Sequence, residues 1–167
     1  YPFETLLKLF EKVPTIKAIK DWCNEPMLHE KHIRVFQNLP NPVNVLTTHS
    51  AWLMSSLVMG ANGLLSGAGS VIAPLQVRLF NAVKNNNLEE AKDINDKIFP
   101  LVQLFYKPPF LDMHNRMKET LVILNAMKKA VVRPPLMKLP FEEIEELKNT
   151  VNEINLDNKL NFVKLVV

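Results

Sequence analysis

Lys20 is the side chain in this sequence best placed to do chemistry. It closes a short β-prone run, Thr15–Lys20 (TIKAIK), in which alternate side chains point to opposite faces, so that Lys17 and Lys20 look opposite ways. In parallel α/β folds, sites collect at the carboxyl ends of strands. A lysine desolvated there has a lowered pKa and, as a neutral amine, can attack a carbonyl to form a Schiff base. Spacing alone favours the plainer reading, a lysine reaching from a strand end into water. Asp21 and Trp22 follow directly, where they can shape a pocket, cap the loop or fill core.

Three other groups invite a chemical reading. His49 ends a second β-prone run, Val43–Thr48 (VNVLTT), and is well placed for substrate contact. His29 and His32 lie three apart on a helical stretch near Cys23, but they lack the i, i+4 pairing with an intervening glutamate that marks a catalytic zinc helix. That spacing predicts a solvated His29, a packed His32 and no metal. Gly67-Ala-Gly69 precedes a helix, as a phosphate cradle does, yet Ile72 stands where a dinucleotide motif needs a third glycine, and no Gly-Lys-Ser/Thr follows Gly63. Tight turns and close strand-to-helix packing are the simpler reading of these glycines, with phosphate binding at Gly67–Ser70 the alternative.

The elements that must position these residues follow from hydrophobic spacing. Apolar residues 3, 6, 7 and 10 predict a first helix ending before Pro14. Pro26 suits a first helical turn, and Leu28, His32, Val35, Phe36 and Leu39 predict the apolar face of a helix broken by Pro40 and Pro42. Ser50 is a candidate N-cap for a buried helix over 51–59 that Gly60 ends. Gly63–Gly67 (GLLSG) predicts a third strand, and Val71–Lys84 a further helix. Short strands alternating with helices indicate parallel βαβ units, buried on both faces. Such burial explains why Val35–Val77 contains no Asp, Glu, Lys or Arg while holding all four glycines. From Leu88 the character changes to amphipathic helices over 88–105, 111–128 and 141–154, an appended helical layer. The domain reading is therefore 1–87, the last βα units; 88–156, the helical extension; and 157–167, a tail ending in FVKLVV that no element claims. Met54, Met59, Met113, Met117 and Met127 read as core filler, and Glu142–Glu146 as the acidic first turn of a helix.

Composition narrows the class. A chain of 167 residues can bury one core, and its 20 basic against 17 acidic residues, scattered rather than in a stripe, argue against nucleic acid as a partner. One cysteine excludes an internal disulfide framework and suits a reducing compartment, the cytoplasm. The opening residues mix charge into their apolar pattern, unlike a signal peptide. The most apolar window, Ala51–Gly69, is interrupted by Ser55, Ser56, Asn62 and Ser66, against the roughly 20 apolar residues of a membrane span.

The pieces Ala18-Ile-Lys20-Asp21, Gly63-Leu-Leu-Ser66, Ser70-Val-Ile-Ala-Pro74, Leu88-Glu-Glu-Ala91 and Arg133-Pro-Pro-Leu136, in this order, resemble the dihydrodipicolinate synthase and N-acetylneuraminate lyase family of class I aldolases. The resemblance runs from about Phe3 to Leu156 and covers that family's second half. It implies the carboxyl-terminal part of a (β/α)8 TIM barrel, three parallel strands, followed by helices. Lys20 matches the strand-six lysine that forms a Schiff base with pyruvate or a related 2-oxo acid, so catalysis needs no cofactor beyond the covalent imine. Thr48, His49 and Ser50 resemble the substrate-side positions of strand seven, and Leu65, Ser66 and Gly67 those of strand eight. His114–Glu119 is similar to a helical part used for packing and subunit contacts. The family's carboxylate-binding loop and proton-shuttling tyrosine correspond to positions before residue 1; Tyr1 stands too close to Lys20 to be that tyrosine. Thr48 replaces a glycine, and His49-Ser50 replace acidic residues common in the two namesake activities, which argues against either specific substrate. The resemblance implies a lyase, aldolase or dehydratase. The alternative is a non-catalytic half-barrel or assembly module. Either would associate with further copies or with a complementing amino-terminal half.

Overall fold

The computed structural model describes residues 1–156. The tail reading for 157–167 lies outside the described residues. Three parallel strands, β1 (Ala18–Asp21), β2 (Asn44–Thr47) and β3 (Gly63–Leu64), form one sheet in sequence order. Helices α1 (Phe3–Lys12) and α2 (Pro26–Phe36) flank β1 along the chain; a 3-10 turn (Ser50–Trp52) with α3 (Leu53–Val58) follows β2; and α4 (Gly69–Lys84) follows β3. Then come α5 (Leu88–Tyr106), a 3-10 turn (Phe110–Asp112), α6 (Met113–Ile123) and α7 (Phe141–Glu153). This is a partial (β/α) barrel wall with an added helical part, as the sequence predicts. No helix among the described residues is long and apolar enough to cross a membrane.

By their contacts the residues fall into two units. The first is Tyr1–Gly67 with Leu79–Lys92. Its core is Phe36, fully buried between Phe3 at 5.3 Å and an edge-on Phe10 at 4.9 Å, with Val43, Val45, Leu53 and Leu57 around it. Each such side chain stabilises the fold by about 1.5–3 kcal/mol on burial. The second unit, among the described residues, is 68–78 with 93–156, built on Ile98, Leu101, Phe105, Met117, Leu147 and Val151.

Strand register decides what each face carries. Lys20 pairs with Leu46, and Leu46 with Gly63; one step on, Asp21 pairs with Thr47 and Thr47 with Leu64. Val45 and Thr47 are wholly buried on one face, against which α2 and α3 pack. Lys20 and Leu46 belong to the other face, and Lys20 is exposed. A Cβ on Gly63 would come within 3.3 Å of Leu46 Cδ2, so this position requires the close approach that glycine allows.

Several expectations are corrected. The strands are shorter than predicted, the third reduced to two residues, because only that stretch of GLLSG meets β2. Ser50 does not cap α3: it begins the 3-10 turn, and no side-chain cap bond is made there. The α2 face rotates to His29, His32, Ile33 and Phe36, because both histidines turn toward the buried Asp21. Its N-terminus is held by Glu25, whose carboxylate accepts from the Met27 and Leu28 amides at 3.0 and 2.6 Å. Helix α4 starts early and breaks at Ile72 (φ −119°, ψ 26°), since Pro74 has no amide to donate back and its ring crowds the preceding turn. Helix α6 stops before residue 128 because Asn125 turns left-handed, at φ 57°. Gly60, at φ 106°, ends α3 as predicted.

Candidate active site

Two groups of residues converge at the carboxyl ends of β1 and β2, on opposite faces. On the open face stands Lys20, its Nζ 6.0 Å from the centre of the Trp22 ring. It lines a pocket of about 360 Å³ with Tyr1, Ile19, Asp21, Cys23 and His32. The pocket follows β1, the free edge of the sheet. These residues leave Lys20 exposed.

Next to it, the Thr48 amide donates to the Asp21 carbonyl at 3.2 Å, and the Leu65 amide to the Thr47 carbonyl at 2.8 Å. These bonds carry the sheet ladder past the strand ends. Ser50 Oγ and Ser66 Oγ share a short hydrogen bond that fastens the residues after β2 to those after β3. Thr48 and Ser50 are buried, Ser66 and Gly67 half-buried, and Leu65 exposed. The structure thus brings Thr48, Ser50, Leu65, Ser66 and Gly67 to the same end of the sheet as Lys20.

His49 departs from that group. The sequence placed it for substrate contact, but its ring stacks on Trp52 at 4.2 Å and meets His29 edge-on at 5.1 Å, on the helix side of the sheet. Alternation along the strand carries it to the face of Asp21, not that of Lys20.

Behind the sheet lies a polar cluster that spacing did not reveal. His29 Nδ1 is 2.7 Å from Asp21 Oδ2, and His32 Nδ1 is 2.8 Å from the same oxygen. His29 Nε2 is 2.7 Å from Ser56 Oγ. The tautomer that satisfies both contacts has His29 Nδ1–H donating to Asp21 and Nε2 accepting the Ser56 hydroxyl. The Cys23 amide donates to Asp21 Oδ1 at 3.0 Å, so both carboxylate oxygens are engaged. His29 and Ser56 are wholly buried. The expectation of a solvated His29 is therefore overturned: a buried carboxylate at a strand end must be matched by donors, and α2 supplies two. The i, i+3 spacing of the histidines was the available signal, because it puts both on one helix face.

Electrostatics follow from this packing. Burial alone would raise the Asp21 carboxyl, but the hydrogen bonds and charge of His29 and His32 outweigh it and hold the group well below the usual carboxylate range. Burial, with the nearby Asp21 carboxylate, pushes the Cys23 thiol up to about 11. Burial, with His29 beside it, holds His49 down to about 4 against a weaker opposing pull from Asp21. Ser56, His29 and Asp21 have the order of a nucleophilic triad, yet the Ser56 hydroxyl is wholly buried and meets no open surface where a substrate could reach it.

Comparison with known proteins matches this architecture. The model of the dihydrodipicolinate synthetase family aligns with residues 2–154. The 4-hydroxy-tetrahydrodipicolinate synthase of Chlorobaculum parvum is 24% identical over 153 residues, which cover 92% of this chain and 49% of that protein. Among solved structures, a dihydrodipicolinate synthase of Thermotoga maritima superposes with a TM-score of 0.80 at 19% identity, over 92% of this chain and 50% of its own. A prophage protein of the dihydrodipicolinic acid synthase family from E. coli K12, solved in complex with pyruvate, gives 0.77 at 21%, over 89% and 49%. The chain thus spans about half the length of the relatives it matches. With the family model covering nearly every described residue and the three strands in their parallel register, the chain belongs to the dihydrodipicolinate synthetase family.

Proposed function

We propose that this chain carries the imine-forming half of a class I lyase acting on pyruvate or a related 2-oxo acid, by aldol or dehydratase chemistry. The position of Lys20 supports this reading: it stands on the open face of β1, level with Leu46 and Gly63, at a strand end, where a reacting lysine of the resembled family would be expected. Its neutral amine attacks the 2-oxo carbon, the carbonyl oxygen leaves as water, and a protonated imine remains. The imine withdraws electrons from the neighbouring carbon, so an enamine forms as a proton or a carbon substituent departs. No metal is required for these steps. Thr48, Ser50, Leu65, Ser66 and Gly67 border the space in which a 2-oxo acid would sit. A reducing compartment such as the cytoplasm suits the free Cys23 thiol.

Three strands with two open edges cannot close a barrel, and water reaches Lys20. Those observations favour a second reading, a half-barrel that becomes competent only when an amino-terminal half or another copy covers it, or that remains a non-catalytic module. Incubation with pyruvate and borohydride separates the two. With the amino-terminal half of a relative supplied, the chain should gain the mass of one reduced pyruvate unit, and Lys20→Met should gain none. A folded mixture that gains no mass would contradict the catalytic reading and leave the non-catalytic module.

A further inference from the structure

We propose that Asp21, Cys23, His29 and His49 form a divalent-cation site of the zinc class, on the face of β1 and β2 opposite Lys20. One ligand atom from each of the four lies within 4.8 Å of all the others. They come from a strand end, the loop after it, helix α2 and the turn after β2, so an ion would tie three separate segments together. A second observation is independent of that clustering. His49 is 3% exposed, and among the described residues its Nε2 has no hydrogen-bond partner. A buried imidazole nitrogen left without a partner is costly, and a cation in the cluster would engage it.

The donor set selects the ion. Two imidazoles, one thiolate and one carboxylate suit tetrahedral zinc, whereas magnesium and calcium take oxygen ligands. Tetrahedral bonds of these types separate ligand atoms by about 3.3–3.6 Å. Asp21 Oδ2 and His29 Nδ1, now 2.7 Å apart, would open by about 0.6 Å to admit the ion, while the widest pair, 4.8 Å, would close. The surroundings are already those of a metal site. The Cys23 amide holds Asp21 Oδ1, and Ser56 holds His29 Nε2, which would carry the ring proton and donate once Nδ1 binds the ion; each orients a ligand through its second atom. The pocket at the β1 edge, which Lys20 also lines, reaches Asp21 and Cys23 and gives an entry path. Lys20 is not among the ligands, so the ion serves to fix the loops after β1 and β2, and the proposal does not rest on the imine chemistry.

The test uses the full chain after chelation. Calorimetric titration with Zn²⁺ should give about one equivalent bound, with a rise in thermal stability. The Co²⁺ complex should show the strong visible bands of tetrahedral geometry together with a thiolate-to-metal charge-transfer band. Cys23→Ser, close in size at a half-buried position, should abolish the charge-transfer band, and His49→Gln should weaken binding by about tenfold or more. His114→Gln, at an exposed histidine outside the cluster, should change nothing. Circular dichroism checks that each variant folds, and the wild-type cobalt spectrum reports on the thiolate without any variant. No stoichiometric binding, a cobalt complex without a thiolate band, or affinity unchanged in both folded ligand variants would overturn the site.

Discussion

The two units each bury a polar knot, and the two knots are finished differently. In the second unit Arg116 is wholly buried in α6, yet its guanidinium is matched throughout. Nε donates to Glu143 of α7 at 2.5 Å, and the terminal nitrogens donate to the carbonyls of Phe105, Lys107 and Pro108 at 3.2, 2.5 and 3.3 Å. In the first unit Asp21 gathers His29, His32 and the Cys23 amide, but the outer nitrogens of His32 and His49 are left buried without partners among the described residues. A closed network fixes structure, whereas one with unused donors or acceptors keeps capacity for a ligand. Arg116 therefore reads as a clamp between α6 and α7 and the turn after α5, and the Asp21 cluster as a place where something more can bind.

The largest loss of stability is expected at Arg116, the wholly buried charge of the second unit. Arg116→Met leaves three carbonyls without their donor and Glu143 with only Lys107 at 3.9 Å, and urea unfolding should show a loss of about 3–5 kcal/mol. A loss below about 1 kcal/mol would mean that the knot is not closed as described. Asp21→Asn keeps shape but removes the charge that two histidines share; a loss of about 1–3 kcal/mol is expected in the chelated protein, together with loss of Zn²⁺ binding.

Acid sharpens the contrast further. The unfolded chain protonates His49 near the ordinary value of 6.5, whereas the folded chain does so only near 4, so folding becomes less favourable as pH falls through that interval. Asp21, held below the usual carboxylate range, adds a loss of the same sign at still lower pH. Urea midpoints of the chelated protein, measured from pH 7 down to about 4, should decline, and His49→Gln should flatten the upper part of that decline. The smallest stability effect belongs to Lys20. Lys20→Met should stay within about 0.5 kcal/mol of wild type, because an exposed side chain on an open face has little to lose, even though it should abolish imine trapping.

Much of this was legible in the chain. The three strands and α1 follow from short apolar runs and from the spacing of residues 3, 6, 7 and 10; the missing charge of Val35–Val77 reflects strands and helices covered by their neighbours. Lys20 was visible because strand periodicity puts it opposite Lys17 at a carboxyl end. The Asp21 cluster was not, since its members lie 8 and 27 residues apart along the paired contacts, and only the parallel pairing of β1 with β2 brings Asp21 close to Thr48 and so to His49. Asn125 ending α6 was also missed, since an asparagine in a helix-like pattern does not announce a left-handed turn.

Imine formation is tested most directly by comparing Lys20 of β1 with Lys17, which precedes that strand. Pyruvate and borohydride, with an amino-terminal half supplied, followed by peptide mass mapping, compares Lys20 with Lys17, an exposed lysine of the same stretch on the opposite side. The reduced adduct is expected on Lys20 and none on Lys17. Equal labelling of the two, or labelling of neither in a folded mixture, would contradict it.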